Sequence, residues 1–192
     1  MPSEAQYQAE IASYDASTLQ QLFEEIENEV SPRLHTLPTQ AWESGKAMEY
    51  LVLRAFELEQ IRVRYPFSVQ NRLTGERTTL EQIDGVVYSE SLACLVESKD
   101  WRDPVDFDEI ARLQSNLQRR PTSAIGLFFA RSGYTEPAQV LTRIRMQPTV
   151  LLWEWGEVRV ALEKRKMREA LHLKYRFAVE EGDPIYDVRG IL

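Results

Sequence analysis

The sequence predicts an α/β sandwich, a central mixed sheet covered by helices on both faces. Three observations predict it. Short β-branched, apolar runs at 83–88, 92–99, 124–130 and 149–155 read as strands. Segments with helical spacing fall between and around them. Strands that alternate with helices in this order build a sheet buried on both sides. At 192 residues the chain suits one domain with a proper core.

Taken in order, Leu19, Leu22, Phe23, Ile26 and Val30 recur at helical spacing, so Ser17 to Val30 is predicted as a helix. Ser31-Pro32 and Leu37-Pro38 then break the chain, because a residue before proline avoids the α region. A second helix follows Gly45 and runs to about Glu59. Ile61 to Val69 alternates as a strand does, with Pro66 marking an edge or a bulge. Asn71 to Thr79 is a polar loop, and Ile83–Tyr88 and Leu92–Lys99 are two strands. Asp106, with Glu109 three residues on, has the pattern of a capping box and opens a helix that stops before Pro121. Ala124–Ala130 is a strand, Thr135-Glu136-Pro137 starts a helix, and Thr149–Trp155 is a further strand. Gly156 is expected to turn the chain into Val158-Arg159-Val160, after which a last amphipathic helix runs to about Glu180.

Composition narrows the function classes. The chain is too apolar for a disordered protein, and a single cysteine, Cys94, excludes an internal disulfide. No apolar run nears the roughly 20 residues that cross a bilayer, and the polar start lacks the pattern of a secretion signal, so the expectation is cytoplasmic with no membrane partner. The net charge of −7 equals the seven acids of residues 1–31, where no Lys or Arg occurs. The remainder is neutral overall and free to carry a positive patch. The acidic arm is expected to be a solvated helix, or else to dock on the basic stretch Lys164, Arg165, Lys166, Arg168.

The chemistry is concentrated in Ile83-Asp84-Gly85-Val86-Val87-Tyr88 and Leu92-Ala93-Cys94-Leu95-Val96-Glu97-Ser98-Lys99. A turn centred between Glu90 and Ser91 makes these antiparallel neighbours and sets Asp84 opposite Glu97, with Lys99 on the face of Glu97. Directly opposed side chains sit about 5 Å apart at Cβ. Two carboxylates there repel by roughly 3 kcal/mol at an effective dielectric near 20. Lys99 offsets one charge, and a divalent cation would offset the other while leaving both groups ionised. Oxygen donors favour Mg²⁺, and His35 and His172 are too few and too scattered for zinc. An ordinary strand-face ion pair would not need the extra acid. Two polar residues interrupt apolar helical stripes: Glu49 shares a face with Val52, Leu53 and Phe56, and Gln114 lies among Phe107, Ile110 and Leu117. A polar group on a core-facing stripe needs a partner.

The ordered set Glu49, Asp84, Glu97-Ser98-Lys99 resembles the PD-(D/E)xK nuclease superfamily, which has a helix glutamate, an acid on one strand and E-x-K on the next. The surroundings look like the branch of the Mrr-type restriction endonucleases: Lys99-Asp100-Trp101 ends the second strand, and Ser132-Gly133-Tyr134-Thr135-Glu136-Pro137-Ala138 forms a small-residue loop opening a helix. The resemblance covers about Gly45 to Ile144. Asp84 departs from it in having no preceding proline. The resemblance implies a restriction-endonuclease-like αβα sandwich, and the segments outside it add terminal helices of their own, so the expected division is an acidic helical arm (1–40), a nuclease-like core (41–160) and a C-terminal helix and tail (161–192). It implies a metal-dependent endonuclease hydrolysing phosphodiester bonds in DNA, in restriction, phage defence or repair. Asp84, Glu97 and the Ser98 carbonyl would hold Mg²⁺, with Mn²⁺ able to substitute, and Glu49 would bind through water or position a second ion. Lys99 would orient the attacking water or stabilise the transition state, with a pKa that falls if desolvated, and Gln114 would bond a phosphate or the lysine. A homodimer or partner subunit would suit cutting of both strands. The competing reading is a catalytically inactive nuclease-fold subunit that binds nucleic acid or a protein.

Other residues invite plainer readings. Trp101 is expected to pack, Arg119 and Arg120 to suit a helix C-terminus, and Arg62, Arg64, Arg72 and Arg77 to be solvated rather than to line a DNA groove. Cys94 sits mid-strand with no evident base, which speaks against thiol catalysis.

Overall fold

The structure is a computed structural model that describes residues 2–37, 40–43, 45–70, 79–144, 147 and 149–192. Pro38 and most of the polar stretch 71–79, with Arg72 and Arg77, lie outside the described residues.

The chain begins with helices α1 (Glu4–Ala12), α2 (Ala16–Glu27) and α3 (Lys46–Leu58). Strands β1 (Arg62–Arg64), β2 (Phe67–Gln70), β3 (Thr79–Ile83), β4 (Gly85–Ser89) and β5 (Leu92–Lys99) follow. Then come α4 (Phe107–Leu117), β6 (Ala124–Ala130), α5 (Glu136–Ile144), β7 (Val150–Glu154), α6 (Trp155–Lys164) and α7 (Met167–Glu180). The main sheet has the order β1-β4-β5-β6-β7, antiparallel from β1 to β5 and parallel from β5 to β7. The expected mixed sheet is therefore present, and β2 and β3 pair separately as a hairpin.

Alternation along these strands divides the apolar interior in two. Val87, Cys94, Val96, Leu127, Phe129 and Trp153 face α3 and the terminal helices. Val86, Leu95, Phe128, Ala130 and Leu152 face α4 and α5 through Ile110, Leu113, Leu117 and Ala138. The sheet is thus covered on both sides, as an αβα sandwich requires.

Several boundaries differ from expectation, each for a physical reason. The single strand expected over 61–69 is two, β1 and β2, separated at Pro66, which lacks the N–H a ladder needs. A further strand, β3, ends at Ile83, so the chain bends at Asp84 and begins β4 only at Gly85. Gly156 lies inside α6 instead of turning the chain, and the last helical region is two helices parted at Arg165, whose φ is 54°. Asp106 stands at the N-cap of α4, but its side chain makes no capping bond and no capping box forms. Glu109 is drawn instead to Lys99 and Arg112.

The acidic arm is not simply solvated. Asp15 caps α2 through the Thr18 N–H at 2.8 Å, and Leu19, Leu22, Phe23 and Ile26 are buried against the core. Burying side chains of this size contributes roughly 2 kcal/mol each. Phe23 stacks on Trp155 with ring centroids 4.2 Å apart. Glu24 is exposed and Glu27 half-buried, and the ion pairs of the arm run from Glu27 to Arg159 and from Glu29, just past α2, to Arg102 and Arg131 rather than to the stretch 164–168. At the other terminus, Lys174 is fully buried, 2.7 Å from Glu157, and donates to the Tyr186 carbonyl at 2.7 Å. Burial pushes the Lys174 amine below its usual range and the Glu157 carboxyl above its own. Glu157 also accepts the Val188 N–H, so this pair pins the C-terminal tail to α6 and α7. One apolar cluster runs through all three segments of the expected division, and α6 straddles the border placed at residue 160.

Candidate active site

The hairpin that carries the chemistry has the register read from the sequence. Ser89 pairs with Leu92, Val87 with Cys94 and Gly85 with Val96, around a turn in which Glu90 has a φ of 52°. Extending that ladder by one residue brings Asp84 to the level of Glu97. Gly85 permits a close approach of α3, because a Cβ there would lie 2.7 Å from the Leu53 Cδ2 atom. The bend at Asp84 and the helix bearing Glu49 are thereby drawn together.

Asp84 Oδ2 accepts two bonds, from the Ser98 N–H and the Ser98 hydroxyl, each 2.7 Å long. Burial raises the Asp84 carboxyl well above the usual carboxylate range, and the negative charges of Glu97 and Glu49 push it further. The Ser98 bonds act in the opposite direction and do not prevail. Glu49 is likewise raised, by burial first and by Glu97, against the pull of Lys46. Three acids from α3, from the bend before β4 and from β5 therefore share one negative region.

Two lysines partly neutralise it. Lys99 Nζ lies 2.6 Å from Glu97 Oε1 and 3.5 Å from Glu109 Oε2, and Lys46 Nζ lies 2.7 Å from Glu49 Oε2. The expectation that desolvation lowers the Lys99 pKa is not met. Burial alone would lower it, but the adjacent Glu97, Asp84 and Glu109 hold the ammonium above its usual range. Trp101, expected to pack, is 44% exposed, with Lys99 Nζ 5.6 Å from its ring centroid.

The structure thus brings Glu49, Asp84, Glu97, Ser98 and Lys99 together. Gln114 is buried on the sheet-facing side of α4, farther along that helix than Glu109. Lys46, Glu109 and the Ser98 hydroxyl also belong to the cluster, a role that the sequence reading does not give them. Lys46 could have been found by its spacing of three residues from Glu49, which places both on one helix face. Glu109 was assigned to a cap it does not make.

A hard divalent cation fits this set in donor type and in charge, since carboxylates and a carbonyl are its preferred ligands and the acids repel one another. Among the described residues no three His, Cys, Asp or Glu side chains stand gathered as a preformed metal site. The lysine ammonium groups hold two of the acids in the positions seen here.

The remaining expectations resolve simply. Cys94 is buried and burial pushes its thiol up to about 12, which leaves it unreactive as a nucleophile. His172 lies 3.0 Å from the Ser89 hydroxyl, away from His35 on the arm. Arg119 and Arg120 both bond Glu81 on β3, which ties the small hairpin to α4. Arg62 and Arg64 are exposed and lie over the rings of Tyr88 and Phe67. No described helix is long and apolar enough to cross a membrane.

No curated protein matches the chain. Among solved structures, a protein of unknown function, AF1548, is similar at 14% identity and a TM-score of 0.47, over 61% of this chain and 65% of that one. The MspJI restriction endonuclease, solved in complex with a 27-mer oligonucleotide, is similar at 21% identity and a TM-score of 0.42. The match covers 93% of this chain and 38% of MspJI, so the chain spans under two thirds of the length of either structure. The restriction endonuclease family Mrr_cat matches residues 41–159, a stretch that holds Glu49, Asp84, Glu97, Ser98, Lys99 and Gln114. The chain belongs to this family of nucleases.

Proposed function

We propose that the protein is a metal-dependent endonuclease that hydrolyses phosphodiester bonds in DNA. The observation that carries the reading is the excess of negative charge shared by Asp84, Glu97 and Glu49 beside a protonated lysine. Carboxylates are held this close at a cost unless a cation compensates them. Asp84, Glu97 and the Ser98 carbonyl would hold Mg²⁺ or Mn²⁺, and Glu49 would bind through water or position a second ion. When bound, such an ion polarises a phosphoryl oxygen and lowers the pKa of coordinated water.

The chain's own residues supply the rest. Ser98 orients Asp84 with two hydrogen bonds, which fixes one carboxylate oxygen and leaves the other for a ligand. Lys99 stays protonated near neutrality, so it acts as a cationic donor to the developing charge on the phosphate and not as a base. Gln114 would contact a phosphate or the lysine. Trp101 presents an exposed aromatic face next to Lys99, suited to the sugar or base of a bound strand. A homodimer or a partner subunit would let two such sites cut both strands.

The test is incubation of purified protein with plasmid and Mg²⁺ beside the Lys99→Ala and Asp84→Ala variants. The expected result is nicking or linearisation by the wild type, its loss in EDTA, and loss of about a hundredfold or more in either variant. Equal residual cutting by all three proteins would exclude this site. DNA binding without cutting under any metal would favour the catalytically inactive subunit.

A further inference from the structure

Next to the candidate site lies a cleft of about 400 Å³ whose lining includes Glu29, Trp42, Gly45, Asp100, Arg102 and Arg131. Its position follows from the sheet. Arg131 comes directly after Ala130, the β6 partner of Lys99, and the Arg131 N–H donates to the Lys99 carbonyl at 3.1 Å. Arg102 is three residues beyond Lys99 on the other strand. Two guanidinium groups are therefore carried by the segments that leave the carboxyl ends of β5 and β6. Gly45, the N-cap of α3, stands at the same cleft with no side-chain cap, so the positive end of that helix faces it too.

The acid found between the arginines breaks two local rules. Glu29 follows the C-cap of α2 with a φ of 55°, a left-handed conformation that glycine usually fills at this position. It also sets a carboxylate at the negative end of a helix whose last turn holds no basic residue. What offsets both is contact with Arg102 Nη2 at 2.8 Å and Arg131 Nη1 at 3.3 Å. Arg131 is nearly buried and further aligned by Asp100, while the Arg102 side chain is 80% exposed and that of Glu29 46% exposed. Exposed pairs of this kind hold weakly and exchange readily. A backbone phosphodiester carries the same single charge and the same pair of anionic oxygens as a carboxylate, so it fits the same guanidinium fork.

Resting on the nuclease reading above, we propose that Arg102 and Arg131 form a second binding site for a backbone phosphate of the DNA, which the chain occupies with its own Glu29 until substrate displaces it. The acidic arm then acts as an internal competitor for DNA. Sequence-independent phosphate contacts of this type register a duplex against the reacting centre without reading its bases.

The test measures binding of a fluorescein-labelled DNA duplex by anisotropy across a salt series, in a Lys99→Ala background. Glu29→Gln is expected to tighten binding about three- to tenfold and to steepen the salt dependence by about one phosphate contact. Arg102→Ala is expected to weaken binding by a similar factor and to shrink the gain from Glu29→Gln. Glu24→Gln removes an equal charge from the exposed face of α2, the helix that precedes Glu29, and serves as the control. Unchanged affinity and salt slope in a Glu29→Gln protein that melts like its parent would overturn the proposal. So would equal tightening by Glu24→Gln, which would mark a general charge effect. If the wild type cuts plasmid in Mg²⁺ while Glu29→Gln binds no better, this site alone falls. If the protein neither binds nor cuts DNA, the nuclease reading falls with it.

Discussion

Replacing Asp84 with Asn should stabilise the metal-free protein while removing its activity. Opposed positions on an antiparallel pair bring carboxylates to roughly 5 Å, where like charges repel by about 3 kcal/mol at an effective dielectric near 20. The Lys99–Glu97 pair offsets part of this, and an amide oxygen accepts the two Ser98 bonds less strongly, by about 1 kcal/mol. A net gain of about 1–2 kcal/mol remains, which raises Tm by roughly 2–8 °C in a chain of this size. The dependence on pH has a definite sign. The folded-state pKa of Asp84 lies above its ordinary 3.8, so the folded protein holds a proton that the unfolded chain has lost. Wild-type stability therefore falls as pH rises from about 4 through the folded pKa. The advantage of Asn grows over that window and then levels off. Melting curves in EDTA and in Mg²⁺, each over a pH series, give both arms. Saturation at a hundredfold over Kd would stabilise the wild type by about 2.7 kcal/mol and Asp84→Asn by much less. A lower Tm for Asp84→Asn in EDTA at neutral pH would refute the repulsion. An equal Mg²⁺ shift in both proteins would show that Asp84 is not a ligand.

Three further outcomes are expected. Gly85→Ala would drive a Cβ to within 2.7 Å of Leu53 and 3.2 Å of the Arg64 carbonyl, costing about 1–3 kcal/mol and lowering Tm by several degrees in a thermal melt. Lys174→Met strands the buried Glu157 charge and should cost about 3–5 kcal/mol, with most of it recovered in a Glu157→Gln/Lys174→Met double variant, as read by urea denaturation. Cys94 should resist iodoacetamide in the native protein at about pH 8 and react once denatured, because its thiol is buried and pushed up to about 12.

The β4–β5 hairpin was legible because two short apolar runs joined by a two-residue turn leave few registers, and a slip by one residue would turn every buried side chain outward. Glu49 was legible from its place on an apolar stripe. The break at Asp84 was not, since β3 and β4 are nearly contiguous in sequence and part only through their partners, β3 pairing with β2 and β4 with β1 and β5. The final helical region was misread at Gly156 because glycine there faces Arg189 and serves close packing inside α6 rather than a turn. The rise in the Lys99 pKa comes first from Glu97 and then from Asp84, with a smaller share from Glu109, a residue of another element whose sequence context suggests a cap. Burial of the arm followed from its apolar stripe, but its surface acids drew the reading toward solvent. Net charge describes the outward face of a helix and says nothing about the other.

The family match stops at residue 159, yet α1, α2 and α7 lay Ile11, Leu19, Leu22, Phe23, Met167 and Leu171 over the same side of the sheet. A fragment trimmed to the family borders would shed that roof. Phe56, Trp153 and Val158 would meet water across a broad greasy face, and such faces drive chains to clump. Limits drawn from kinship and limits set by solubility therefore part company in this molecule, and excision of the nuclease region by itself should yield inclusion bodies.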